Sequence, residues 1–164
     1  MIDTDSDIYR DAQRKAESSS TSPEELDSLF KQNIGPMIQY LIAYNPNCLP
    51  ETLSELACHN DVAVRWRVAS NPNTKVETLL FLSKELDPMV VSEVAGHCKC
   101  PMETLMQLGK STHPLILSAV AENPNTDINT IVRLSQGADL IVRALALEHP
   151  KYPKNLADWL DVDW

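Results

Sequence analysis

The chain has 164 residues, a length that suits one domain with a real core, and its 43% hydrophobic content with a mean hydropathy of -0.22 excludes disordered and collagen-like classes. Asp plus Glu number 23 against 14 Lys plus Arg, so the net charge of -9 repels phosphate backbones and anionic lipid and argues against nucleic acid or a membrane as partner. No apolar run approaches the roughly 18 residues of a membrane span, and the acidic start Met1-Ile2-Asp3-Thr4-Asp5-Ser6-Asp7 is neither a signal nor a transit peptide. The reading that follows is a cytoplasmic protein whose four cysteines, Cys48, Cys58, Cys98 and Cys100, are reduced thiols.

Residues 1–20 read as a capping helix and polar joint, with Ile8, Tyr9, Ala12 and Ala16 forming one apolar stripe ahead of the polar run Ser18 to Ser22. Residues 21–151 read as about five tandem repeats. An imperfect first copy runs from Ser22-Pro23-Glu24-Glu25-Leu26 through Leu29, Ile38, Ile42 and Ala43 into Asn45, with one extra residue. After it the turns Asn45-Pro46-Asn47, Asn71-Pro72-Asn73, His97-Cys98-Lys99, Asn123-Pro124-Asn125 and His149-Pro150-Lys151 recur every 26 residues. Leu53, Leu79, Leu105 and Ile131 share one column, Leu56, Leu82, Leu108 and Leu134 another, and Val68, Val94, Val120 and Ala146 a third.

Each copy predicts two short helices, because its apolar residues fall three and four apart and never alternate as in a strand. Thr74-Lys75-Val76-Glu77 and Thr21-Ser22-Pro23-Glu24 read as capping boxes that open the first helix. Asp61, Asp87 and Asp139 read as N-caps of the second, with His113 in the same position and Pro88 and Pro114 in the first helical slot. The residue before each turn proline is driven out of the α region, which ends the second helix. Cys48 and Cys100 occupy the column of Thr74 and Thr126, which predicts helix N-caps and some thiolate reactivity. Residues 152–164 read as a C-terminal cap, in which Leu156, Trp159 and Leu160 cover the last repeat and an acidic, aromatic tail follows.

The segment Val64-Arg65-Trp66-Arg67-Val68-Ala69-Ser70-Asn71-Pro72-Asn73-Thr74-Lys75-Val76-Glu77-Thr78-Leu79 resembles the repeat of the leucine-rich repeat variant proteins, V-R-x-A-V-A-x-N-P-N-T-P-x-E-L-L-x-x-L-A. The resemblance covers roughly residues 21 to 157. It implies an all-α solenoid of paired α and 3-10 helices wound into a right-handed superhelix, related to armadillo and HEAT arrays, here with a 26-residue period. The cysteine-rich segment that carries iron–sulphur chemistry in that family has no counterpart, since no cysteine precedes Cys48.

No catalytic set emerges: there is no glycine-rich phosphate loop, no G-x-S-x-G elbow and no H-E-x-x-H, so the expectation is a non-enzymatic protein without a cofactor. His97, Cys98 and Cys100 form the one constellation suited to a soft metal or redox role, and they define the alternative reading. A nucleic-acid base enzyme of the HEAT-like kind is a third, which the net charge opposes. Between the core positions of the second helices the sequence varies: Gln39 and Tyr40, Arg65 and Trp66, Val91 and Ser92, Leu117 and Ser118, Arg143 and Ala144. In stacked helix pairs such a ladder lines an extended track, and Trp, Tyr and Arg dominate binding hot spots. The expected binding residues are therefore Gln39, Tyr40, Arg65, Trp66, Ser92, Ser118 and Arg143, receiving a protein or peptide with acidic and apolar groups. Arg65, Arg67 and Arg143 on second helices, set against Glu51, Glu55, Glu77, Glu85 and Glu103 on first helices or their ends, predict opposite sign for the two surfaces.

Overall fold

Prolines and aspartates decide where the helices of this chain begin. The computed structural model describes residues 4–154, and every regular element among them is an α-helix. The described residues up to Leu82 form one compact unit with α1 (Thr4–Glu17), α2 (Pro23–Gln32), α3 (Pro36–Tyr44), α4 (Pro50–Leu56), α5 (Val62–Ser70) and α6 (Val76–Leu82). The described residues from Ser83 onward form a second, with α7 (Pro88–Gly96), α8 (Met102–Leu108), α9 (Pro114–Glu122), α10 (Ile128–Ser135) and α11 (Leu140–Glu148). The boundary falls between the two helices of one sequence repeat. The 3-10 helices implied by the family resemblance do not occur among the described residues.

The second helices α3, α5, α7, α9 and α11 are each nine residues long, and the predicted aspartate caps hold α5, α7 and α11. Asp61 Oδ1 accepts from the Ala63 amide at 2.9 Å, Asp87 Oδ1 from Met89 at 2.9 Å, and Asp139 Oδ1 from Ile141 and Val142 at 2.9 and 3.0 Å. His113 stands at the N-cap of α9 without a side-chain bond to it, and Pro88 and Pro114 take the first turn. Helices of seven to nine residues are too short to persist alone in water, so tertiary packing has to hold them.

That packing is repetitive inside each unit. In the first unit α3 lies against α1 and α5, with α2 against α3 and α4 against α5; in the second α9 lies against α7 and α11, with α8 against α9 and α10 against α11. Leu53, Leu79, Leu105 and Ile131 are fully buried, as are Val68, Val94, Val120 and Ala146, so those columns face the core of their units. Leu108 is half-buried. In α1, Ala12 and Ala16 are buried but Ile8 is 55% exposed and Tyr9 half-buried. The helix has 14 residues, about 21 Å, and α3 has nine, about 13 Å, so α3 does not cover the whole stripe.

The turns do more than end helices. Asn45 Nδ2 donates to the carbonyls of Ala16 and Ser18, Asn71 Nδ2 to Ala43 and Asn45, and Asn123 Nδ2 to Ala95 and His97, all between 2.6 and 3.1 Å. Each of these asparagines also accepts the amide two residues on at 2.9 Å. All three are buried, and each satisfies carbonyls of the previous copy that would otherwise be left without water. His149 reproduces the pattern, with Nε2 3.1 Å from the Asn123 carbonyl and Nδ1 accepting from the Lys151 amide, while His97 Nδ1 accepts from Lys99. The third turn position forms a second rail: Asn47, Asn73 and Asn125 donate to the preceding turn, and Lys151 Nζ reaches the Thr126 carbonyl.

Three cap expectations need correction. The capping box lies at Ser22 and Glu25, one residue later than Thr21 and Glu24. Thr21, Thr74 and Thr126 donate their hydroxyls backwards to Lys15, Val68 and Val120 carbonyls at 2.5 to 2.7 Å, and α6 starts at Val76, so Thr74 is not its N-cap. Cys48 and Cys100, in the same column, are buried one residue ahead of the N-caps Leu49 and Pro101. Desolvation pushes the Cys48 thiol up to about 12 and the Cys100 thiol up to about 11, the opposite of a reactive thiolate. The C-terminal cap assigned to Leu156, Trp159 and Leu160 lies outside the described residues.

Candidate functional site: an arginine among three aromatic rings

On α3 the residues Met37, Tyr40 and Tyr44 are spaced three and four apart and so share one stripe, and on α5 Val62 and Trp66 do the same. Because α3 packs on α5, Tyr40 and Tyr44 of one stripe and Trp66 of the other meet around Arg67. Its Cζ lies 4.2 Å from the centre of the Trp66 ring, 4.5 Å from Tyr44 and 4.8 Å from Tyr40. Arg67 Nε donates to Tyr40 Oη at 2.7 Å, which fixes the guanidinium plane. Tyr40, Trp66 and Arg67 are half-buried, while Tyr44 is 60% exposed, as is much of Met37. A cation over aromatic faces gains about 0.5 to 2 kcal/mol, more as it loses water, so the cluster is held together without burying the charge completely.

The surroundings of Arg67 are free of competing carboxylates on its own two helices. Neither α3 nor α5 contains an acidic residue, and their only charges are Arg65 and Arg67. The first helices of the same unit carry Glu24, Glu25 and Asp27 on α2, Glu51 and Glu55 on α4 and Glu77 on α6. The predicted contrast in sign therefore holds for these helices. It does not extend to the second unit, where Glu93, Glu122 and Glu148 sit on α7, α9 and α11 beside the single Arg143.

The seven expected binding residues have separate fates. Tyr40 and Trp66 meet in the cluster. Gln39 is buried and donates to Asn33 Oδ1 at 2.6 Å, bracing the connection whose left-handed Asn33 (φ 50°) and Gly35 (φ 147°) absorb the extra residue of the first copy. Arg65 uses Nη1 on the carbonyls of His59 and Asn60 at 2.8 and 3.0 Å. Ser92 is buried and donates to the Met89 carbonyl at 2.8 Å, Ser118 is half-buried and Arg143 exposed. The last three belong to the second unit. Tyr44 was not expected in the site, and Arg67 entered only as a charge. The signal for both was a tyrosine pair four apart, lying one repeat before an arginine beside a tryptophan.

For the metal alternative, among the described residues no three or more His, Cys, Asp or Glu side chains are grouped to share a metal ion. His97 is buried with Nδ1 engaged by Lys99, Cys98 is exposed, and Cys100 faces the core. No described helix is long and apolar enough to cross a membrane. Comparison with protein-family models, curated proteins and solved structures finds no match to this chain. The resemblance to leucine-rich repeat variant proteins thus rests on the repeat motif alone.

Proposed function

We propose that the chain is a helical-repeat solenoid of the leucine-rich repeat variant type that acts as a cytoplasmic, non-enzymatic interaction scaffold, taking a peptide or protein surface on α3 and α5. The observation that carries this reading is the half-exposed cluster of Tyr40, Tyr44, Trp66 and Arg67. Tyrosine, tryptophan and arginine bury large areas at low entropic cost, and an aromatic left 60% exposed beside a pinned arginine adds nothing obvious to the core. The repeat period, the buried Val and Leu columns and the asparagine rails inside each unit support the solenoid.

Capture from an extract of the source organism, with wild type and Tyr44→Ala compared, tests the function. The expected result is a specific partner lost by Tyr44→Ala at unchanged melting temperature, because so exposed a ring contributes little to folding. Capture by both Tyr44→Ala and Trp66→Ala at the wild-type level would remove this surface from consideration.

A further inference from the structure

We infer that the cluster on α3 and α5 is a receptor for a carboxylate side chain flanked by apolar residues in a partner peptide, with Arg67 as the group that holds it. The inference rests on the interaction reading above and names the chemistry of the partner. Three ring centres lie 4.2 to 4.8 Å from the guanidinium carbon, and the hydrogen bonds of the group run from its edges. One edge is taken, since Nε donates to Tyr40 Oη. The terminal nitrogens of Arg67 have no acceptor among the described residues, so four N–H donors remain in a fixed plane. A planar fork of this kind matches a carboxylate bidentately, and such charge-assisted pairs are roughly twice as strong as neutral ones.

The chain offers no carboxylate of its own on these helices. With no Asp or Glu on α3 or α5, the charge of Arg67 is uncompensated locally on a protein whose net charge is -9. Arg65 does not play this role, because its Nη1 caps the carbonyls that lead into α5. Flanking apolar residues follow from the same two helices: Met37 (54% exposed) and Val62 (38% exposed) lie on the stripes of Tyr40 and Trp66, and the ring of Tyr44 (60% exposed) stands beside the arginine. The aromatic rings also fix the arginine before the partner arrives, which lowers the ordering cost of binding.

Two acetylated and amidated heptapeptides, Leu-Gly-Leu-Asp-Leu-Gly-Leu and its Asn isostere, titrated into the full chain by calorimetry, provide the test. The expected result is at least tenfold tighter binding of the aspartate peptide, weakening with salt, and loss of that preference in Arg67→Gln and most of it in Arg67→Lys, which keeps the charge without the fork. Circular dichroism melting shows whether each variant is folded, and Tyr40→Phe, which frees Nε without removing the ring, should retain the preference for aspartate. Equal affinity for the two peptides, or a preference undiminished in Arg67→Gln, overturns the inference. Tighter binding of a phosphoserine version than of the aspartate peptide also overturns it, in favour of a phosphate receptor. A natural partner that depends on Tyr44 but binds Arg67→Gln normally would overturn the carboxylate and leave the surface reading intact. Aspartate preference without any Tyr44-dependent partner would do the reverse.

Discussion

Asn71 shows how much of this fold depends on single amides. Its Nδ2 closes two carbonyls of the preceding copy and its Oδ1 closes the Asn73 amide, in a buried position. Removing the side chain strands the Ala43 carbonyl away from water, and each buried orphan costs about 1 to 3 kcal/mol. Asn71→Ala should therefore lose about 3 kcal/mol in urea unfolding, and Asn73→Ala, whose bonds lie nearer solvent, about 1 kcal/mol. Equal costs for the two would mean that the first rail is no stronger than the second. In sequence these asparagines read as helix terminators, which they are, since α3, α5 and α9 all end at one. Their longer-range bonds were hidden because a local pattern does not say what lies one repeat back. A hint was present in the substitutions: where asparagine is replaced, histidine takes its place, a residue that also pairs one donor with one acceptor.

Whole elements were more legible than the contacts between them. The Leu and Val columns, the Asp caps and the helix ends at Asn-Pro were readable because each depends on spacing within a few residues. The Thr column was misread because a threonine hydroxyl ahead of a helix can cap forward or bond backward, and here the hydroxyls donate to backward carbonyls. The arginine cluster was missed for a related reason, as it needs α3 packed on α5 before Tyr44 and Arg67 become neighbours. Glycines test the packing of elements in the second unit. A Cβ on Gly109, at the end of α8, would stand 2.8 Å from Thr130 Cγ2 and 3.0 Å from Arg133 Nη2, on the helix whose Arg133 Nη1 donates to the Gly109 carbonyl. Gly109→Ala should cost about 1 to 3 kcal/mol by overpacking. Gly96, in the last turn of α7, meets nothing within 4 Å, so Gly96→Ala should gain about 0.5 kcal/mol. Thermal melts of the two variants should move in opposite directions; a shared direction would mean that α8 and α10 are not packed as closely as described.

At the scale of the molecule, the second unit adds a titratable histidine to the asparagine turn that both units share, and pH should separate them. The first uses Asn45 and Asn71, which do not titrate, and its perturbed carboxylates are surface ones: Asp11 lowered by Lys15, Asp27 by Lys31 and Glu51 by Lys75. Lowered acids contribute stability above the unfolded value and lose it as pH falls, so this unit should hold until about pH 4, and weakly even then because exposed pairs are screened. The second unit relies on His149, which is buried and bonded to Asn123 and to the Lys151 amide. Desolvation holds its pKa below the ordinary histidine range, against the opposing bond to the Asn123 carbonyl and with a smaller push in the same direction from the Lys151 ammonium. A proton on Nδ1 would also face the Lys151 N–H in place of a lone pair. The unfolded chain then binds the proton more readily than the folded one, so stability is complete above about pH 6.5 and declines as pH falls below it, until the folded-state pKa is passed. Amide hydrogen exchange at pH 7.5 and 5.5, corrected for intrinsic rates, should show protection falling in α9 and α11 and holding in α3 and α5. His149→Asn should abolish the difference, because asparagine supplies the same donor and acceptor without a titrating group. Parallel loss of protection in both units, or a pH response that survives His149→Asn, would place the acid sensitivity elsewhere than this turn.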